Sequence, residues 1–151
     1  MYKLETFFDN DKLPSLEREL VCKEDFILCQ PDEVFKMLNE KFRIGYRTEE
    51  FVYMISLDTK GKVIGVFEIS HGIVNGSYAN PREIFMKAQL CGASSIIVAH
   101  NHPSGDLSPS RQDMDCARRI KEAGKILGIP LSDFMICSIT EYFSFNEKNL
   151  L

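Results

Sequence analysis

The sequence predicts an α/β fold in which a mixed central sheet is flanked by helices. Two observations support this prediction. Short, apolar, β-branched segments typical of buried strands occur in pairs, and segments with helical apolar periodicity separate those pairs. With 151 residues, the chain fits one domain that can bury a core of its own.

The N-terminal residues carry weak secondary-structure signals, whereas the helix that follows them has a clear start. Residues 1–30 are assigned as an N-terminal extension, in which Leu16 to Val21 is expected to form one or two helical turns, and residues 31–151 are assigned as the domain proper. A helix is predicted from Pro31 to about Arg43, because a proline and two acids occupy its first turn. Its apolar face consists of Val34, Phe35, Leu38 and Phe42.

A β-hairpin follows this helix. Glu50 to Asp58 is apolar on both faces, which indicates a central strand, and Lys62 to Ser70 is its expected partner. The turn between them ends at Gly61, where a positive φ is needed. His71 is expected to be a surface histidine at the end of the second strand.

The second half of the chain alternates helices and strands. Asn80 and Pro81 open a helix that Gly92 ends, and Ser94 to His100 is predicted to be a buried strand. The longest predicted helix begins at Pro109 or Ser110 and ends at Leu127. Its buried face is expected to contain Cys116, Ile120, Ala123 and Leu127, and two further strands, Leu131 to Ile139 and Tyr142 to Phe145, are expected to complete the sheet as a hairpin.

Composition and charge limit the classes of function. The net charge of -4 lacks the basic surplus that usually accompanies binding to a phosphate backbone, so direct nucleic-acid binding is not favoured. The five cysteines contain no Cys-x-x-Cys pair, which argues against a disulfide framework or a thiolate zinc site. No signal peptide or membrane-length apolar run is evident, and a cytoplasmic location is expected.

Two histidines and an aspartate indicate a metal site. His100 and His102 are two residues apart on extended backbone, so their side chains point to the same side. Asp113 follows after a loop that is long enough to turn back toward them. Two imidazoles and one carboxylate leave the fourth tetrahedral position to water, as in a catalytic zinc site. The alternative is structural, because Ser110-x-x-Asp113 is also a variant of the helix capping box.

The complete pattern resembles the MPN (JAMM) metalloprotease motif. In this motif His-x-His is followed by seven residues, a serine, two residues and an aspartate, as in the stretch from His100 to Asp113. The longer string His-Asn-His-Pro-Ser-Gly resembles the bacterial RadC branch of that family. The resemblance covers roughly residues 30 to 147 and includes the further matches Pro81-Arg82-Glu83-Ile84, Leu127-Gly128-Ile129-Pro130-Leu131 and Ser144-Phe145.

The resemblance implies an MPN fold with cytidine-deaminase-like layering and a zinc-dependent hydrolase of amide, peptide or isopeptide bonds. It implies Zn²⁺ held by His100, His102 and Asp113. Glu50 matches the glutamate that most MPN enzymes use as general base, with Glu49 as the adjacent competitor. Ser110 would either donate a hydrogen bond to the oxyanion or only cap the helix. The expected substrate is a peptide or protein.

The chain departs from RadC relatives in two ways, and the second lowers the expectation of DNA binding. Those relatives often have Asp-His where this chain has Asp133-Phe134, and many carry a helix-hairpin-helix region for which residues 1–30 leave no room. The alternatives are a DNA repair-associated or nucleic-acid processing factor and a non-enzymatic partner-binding module. The sequence also leaves open whether the protein is a homodimer.

Overall fold

In the computed structural model, residues 1–72 and 79–151 are described. They confirm the predicted α/β fold, with a seven-stranded mixed sheet flanked by helices. The strands are β1 (Tyr2–Phe8), β2 (Pro14–Leu20), β3 (Phe51–Leu57), β4 (Val63–His71), β5 (Ser95–Asn101), β6 (Leu131–Cys137) and β7 (Tyr142–Ser144). The helices are α1 (Pro31–Phe42), α2 (Pro81–Leu90) and α3 (Arg111–Leu127), with a short 3-10 helix at Ile44–Tyr46.

The sheet has the order β2-β1-β4-β3-β5-β6-β7. Strand β3 pairs antiparallel with both β4 and β5, whereas β5 and β6 are parallel, so the sheet is mixed as expected. The predicted hairpin turn before β4 is formed, and Gly61 has a φ of 75°. The final hairpin of β6 and β7 is also confirmed.

Two apolar layers cover the sheet. Helices α2 and α3 pack on one face, where Ile84, Phe85 and Ile120 meet Val98 of β5. Helix α1 packs on the other face, where Leu38 is among the residues that contact the sheet. Among residues 1–72 and 79–151, no helix combines the length and apolarity that crossing a membrane requires.

The short helix expected at Leu16 to Val21 is wrong. All of this stretch except Val21 belongs to β2, which pairs along its whole length with β1. Leu16, Arg18 and Leu20 lie on one face of the strand, and the residues between them lie on the other. Cross-strand pairing with β1 therefore outweighs the local helix preference of Leu, Glu and Arg.

The buried face of α3 is rotated about the helix axis relative to the predicted face. The helix buries Asp113, Ala117, Ile120 and Gly124, while Leu127 is 44% exposed. Gly124 sets this orientation, because a Cβ atom there would lie 2.5 Å from the backbone oxygen of Ile129. A face chosen by apolar side chains misses two of these positions, since an aspartate is seldom buried and a glycine has no side chain to mark the apolar face.

Candidate metal centre

Strand pairing brings the histidines and Glu50 to one edge of the sheet. Val52 of β3 lies opposite His100 of β5, and both side chains face the layer that α2 and α3 cover. Continued by two residues, the same antiparallel register places Glu50 opposite His102. The end of β3 and the end of β5 therefore present an acid and two imidazoles on the same side.

The first turn of α3 supplies Asp113. The Ser110 Oγ accepts a hydrogen bond from the Asp113 amide at 3.1 Å, and the Ser110 amide donates to Asp113 Oδ2 at 2.7 Å. This reciprocal capping box fixes the carboxylate at the start of the helix, where the helix dipole favours negative charge. The interpretation of Ser110-x-x-Asp113 as a helix capping box is thus correct. The same bonds also orient Asp113 toward the histidines.

The donor groups of three side chains, two imidazole nitrogens and the two oxygens of one carboxylate, form a compact triangle. His100 Nε2 lies 3.1 Å from His102 Nε2 and 3.0 Å from Asp113 Oδ1, and His102 Nε2 lies 3.5 Å from Asp113 Oδ2. Ligands about 2.1 Å from a tetrahedral zinc ion are themselves about 3.4 Å apart, so the residues fit such an ion. With Glu50 included, the four ligand atoms lie within 4.8 Å of one another and can hold a metal ion.

The second nitrogen of His102 fixes how this ring faces the cluster. His102 Nδ1 is hydrogen-bonded to the backbone oxygen of Asp106, which can only accept. Nδ1 therefore carries the proton, and in the neutral ring the lone pair of Nε2 points into the cluster. A metal-binding histidine is commonly oriented by such a carbonyl.

The charge of Asp113 suits a cation. The side chain is only 2% exposed, and burial opposes ionisation of the carboxyl group. Hydrogen bonds and charge from His100 and His102 outweigh burial and hold the pKa of Asp113 well below its usual range. The carboxylate raises the pKa of His102 in turn, mainly through their hydrogen bond. An ionised Asp113 is the form that binds a metal.

Glu50 lies slightly outside the triangle. Its Oε1 is 3.9 Å from His100 Nε2, and its side chain is 17% exposed. The competing acid, Glu49, is exposed, and its Oε2 lies beside Gly72, 2.7 Å from where a Cβ of that residue would stand. Only Glu50 of these two acids belongs to the cluster. His71 also lies outside it, 58% exposed, with Nδ1 2.8 Å from Glu68 Oε1.

The contacts of two neighbours of the cluster were not predicted from the sequence. Phe134 places its ring 5.3 Å from that of His100, so an aromatic side chain packs where RadC relatives often have a histidine. Asn101 lies between the two histidines in the chain and is 1% exposed. The alternation of side chains along a strand predicts that Asn101 faces away from the histidines, but not what it contacts.

An α/β sandwich with a Glu, His, His and Asp cluster at one edge of its sheet defines the class of protein. A model of the family described as the RadC-like JAB domain matches residues 28–150. The chain is 43% identical over 124 residues to a UPF0758 protein of Clostridium perfringens, covering 82% of this chain and 54% of that protein. A UPF0758 protein of Alkaliphilus metalliredigens is 42% identical over 121 residues, which is 80% of this chain and 51% of the relative.

The chain belongs to the RadC-like JAB domain family. The family match confirms the resemblance to RadC proteins, from which the MPN fold was expected. The chain spans about half the length of the curated relatives it matches. The matched region begins at residue 28, whereas β1 and β2 lie before it and extend the sheet beyond β4.

Proposed function

We propose that this domain is a zinc-dependent hydrolase of amide bonds whose substrate is a peptide or protein, with isopeptide linkages included. The donor triangle of His100, His102 and Asp113, with the Glu50 carboxylate beside it, is the observation that carries the proposal. Two imidazoles and one carboxylate are a catalytic rather than a structural zinc set, because they leave a coordination position for water.

Different residues of the chain would have different roles in hydrolysis. His100, His102 and Asp113 would hold the ion, which supplies an acidified water and polarises the substrate carbonyl. Glu50 Oε1 takes the proton from the attacking water and delivers it to the leaving nitrogen. Its distance of 3.9 Å from His100 Nε2 exceeds the edges of the triangle, which supports this role over that of a fourth ligand.

Ser110 is the proposed donor to the substrate oxygen. In the capping box its Oγ accepts from the Asp113 amide, which uses a lone pair and not the hydroxyl proton. That proton can be directed at the carbonyl oxygen as negative charge develops on it during attack. Capping and oxyanion stabilisation are therefore compatible in one side chain.

A nucleic-acid function has less support. Among the basic residues of α3, Arg118 is paired with Asp115 at 3.5 Å and with Glu122 at 3.3 Å, which reduces the positive potential of that face. A cytoplasmic location is part of the proposal and is supported by the five cysteines, all of which are free thiols.

The test measures bound metal first and hydrolysis second. The same donor set also suits Fe(II), so the metal in the purified protein is identified and counted before zinc is added. We expect one zinc per chain and cleavage of members of a peptide and isopeptide library. A different metal that resists exchange, or a chain that binds no zinc, contradicts the proposal.

Glu50→Gln and Glu49→Gln form a matched pair for the second step. The Glu50→Gln variant should keep its zinc while kcat falls about a hundredfold or more, because the general base is lost. Glu49→Gln removes an equal charge one residue away and should change kcat little. Equal losses in both variants would show that local charge, not proton transfer by Glu50, affects the rate.

A further inference from the structure

Asn101 joins the strand of the histidines to the segment that carries Glu50. It is the last residue of β5, and its side chain lies on the sheet face opposite His100. Strand β3 begins at Phe51, so Glu50 immediately precedes it and lies outside the regular ladder. The register of β3 against β5 brings Glu50 to the correct side, and contacts of the preceding segment add to the control of its position.

The Asn101 amide group makes three hydrogen bonds to that segment. Oδ1 accepts from the Phe51 amide at 2.8 Å, and Nδ2 donates to the backbone oxygens of Glu49 at 3.0 Å and Arg47 at 3.4 Å. A backbone amide can only donate and a carbonyl can only accept, so these partners fix which way the side-chain amide faces. The bonds hold the residues on both sides of Glu50.

We infer that Asn101 is a positioning residue that sets the distance between the Glu50 carboxylate and the metal centre; this rests on the proposed function. One residue connects the two parts of the site, because its neighbours in the chain are the two histidines and its hydrogen-bond partners flank the base. The carbonyl oxygen of Glu50 itself accepts a hydrogen bond from the Gly72 amide at 3.0 Å. Removal of the Asn101 side chain would abolish the three bonds that hold the residues on both sides of Glu50.

The bonds of Asn101 are suited to precise positioning. The side chain is 1% exposed, so water cannot easily replace a lost bond, and an unpaired buried group is costly. Proton transfer requires the base within hydrogen-bond reach of the water, and a displacement of about 1 Å can reduce the rate about a hundredfold. A small shift of the segment is therefore enough to affect Glu50.

The first arm of the test needs no metal and no substrate. In Asn101→Ala, hydrogen exchange of the Phe51 amide should accelerate about tenfold, because its acceptor is lost. Asn39→Ala is the matched control, since Asn39 Nδ2 also donates to two backbone oxygens and its Oδ1 accepts from the Gly45 amide at 2.9 Å. Asn39→Ala should accelerate exchange at Gly45 and leave Phe51 unchanged. Unaltered protection of Phe51 in Asn101→Ala overturns the inference.

The second arm uses Co²⁺ as a spectroscopic probe in the intact chain. Glu50→Gln should change the visible spectrum of the Co²⁺ protein, Asn101→Ala should change it in the same direction, and the double variant should match Glu50→Gln. Asn39→Ala should retain the wild-type spectrum. Additive changes in the double variant, or no change in Asn101→Ala, overturn the inference, because Asn101 would then not act through Glu50.

A third arm separates this inference from the proposed function. In the zinc-loaded protein, Asn101→Ala should lower kcat about tenfold or more with little change in KM, and the loss should vanish in the Glu50→Gln background. If the wild type hydrolyses no substrate, the proposed function fails while the exchange and Co²⁺ measurements still decide the role of Asn101.

A second variant covers the case in which Asn101→Ala does not fold. Asn101→Asp keeps the acceptor for Phe51 and loses both donated bonds. The Co²⁺ spectrum of Asn101→Asp should change in the same direction as that expected for Asn101→Ala. A wild-type spectrum in Asn101→Asp overturns the inference.

Discussion

Ser110 caps a helix and is also the proposed donor to the substrate oxygen. Its hydroxyl oxygen caps α3 through the Asp113 amide, and its own amide binds Asp113 Oδ2. The proposed donation from its hydroxyl proton would add a contact that forms as the substrate carbonyl is attacked. A cap affects stability, whereas a contact to the oxyanion affects kcat, so one substitution can separate the two.

For Ser110→Ala we expect a loss of about 1 kcal/mol in the free energy of unfolding and a fall in kcat of about a hundredfold or more. Asn80→Ala is the control, because the Asn80 side chain caps α2 by accepting from the Arg82 amide at 3.0 Å. Asn80→Ala should lose similar stability and retain its kcat. Denaturant unfolding and steady-state kinetics measure both quantities, and an unchanged kcat in Ser110→Ala would leave that residue as a cap only.

At the scale of elements, Asp133 ties the last hairpin together. Its Oδ2 accepts from Ser144 Oγ at 2.6 Å, and its Oδ1 accepts from the amides of Phe134 at 2.8 Å and Asn146 at 3.0 Å. Burial raises the pKa of the Asp133 carboxyl group, although these hydrogen bonds oppose that effect. The folded protein therefore binds a proton at Asp133 more tightly than the unfolded chain does.

This raised pKa predicts a pH dependence. The contribution of Asp133 to stability should be fully present below its unfolded pKa of about 3.9 and decline as pH rises through the raised folded value. Asp133→Asn keeps the shape and an acceptor but cannot ionise, so its stability relative to wild type should improve from about pH 4 toward neutrality. Thermal unfolding across that range measures the difference. A constant difference at all pH values would show that Asp133 does not titrate as expected.

Asp133→Ala is the companion to that measurement. It leaves three hydrogen-bond donors without their acceptor, at a cost of about 1–3 kcal/mol for each one that stays buried and unpaired. We expect Asp133→Ala to be less stable than Asp133→Asn at every pH. Equal stability of the two variants would mean that water replaces the lost acceptor.

Local patterns predicted most elements because each carries its own start and stop signals. Proline at the first position of α1 and α2, the glycine after the β3–β4 turn, and the apolar segment of β5 all predict what is observed. The strand β2 was missed because its exposed Leu, Glu and Arg also suit a helix, and only the partner strand β1 decides between the two.

At the scale of the whole molecule, the candidate metal centre joins separate parts of the fold. His100 and His102 come from the end of β5, Asp113 from α3, and Glu50 from the approach to β3. An ion held by these side chains would bind the folded chain and not the unfolded one, because the ligands come together only on folding. Metal binding should therefore stabilise the entire domain.

Removal of the metal should lower the melting temperature. At a zinc concentration of about 100 times Kd, binding contributes about 2.7 kcal/mol, which corresponds to a shift of about 5–10 °C for a domain of this size. A strong chelator should reverse the shift. His102→Ala should abolish it, whereas the control His71→Ala, which changes an exposed histidine outside the cluster, should retain it. A zinc-independent melting temperature in the wild type would contradict a metal centre.

The sequence by itself determined the fold class and the candidate ligands, because apolar periodicity and the His-x-His spacing with Ser110 and Asp113 are local properties of the chain. Only the tertiary structure shows that Glu50, the acid that the resemblance favours, joins the cluster and Glu49 does not, since the register of β3 against β5 brings Glu50 to the side of the histidines. It also decided that Asn101 holds the Glu50 segment. Both depend on contacts between residues about 50 positions apart, as with Phe51 and Asn101, and the packing of strands, not local pattern, fixes such contacts.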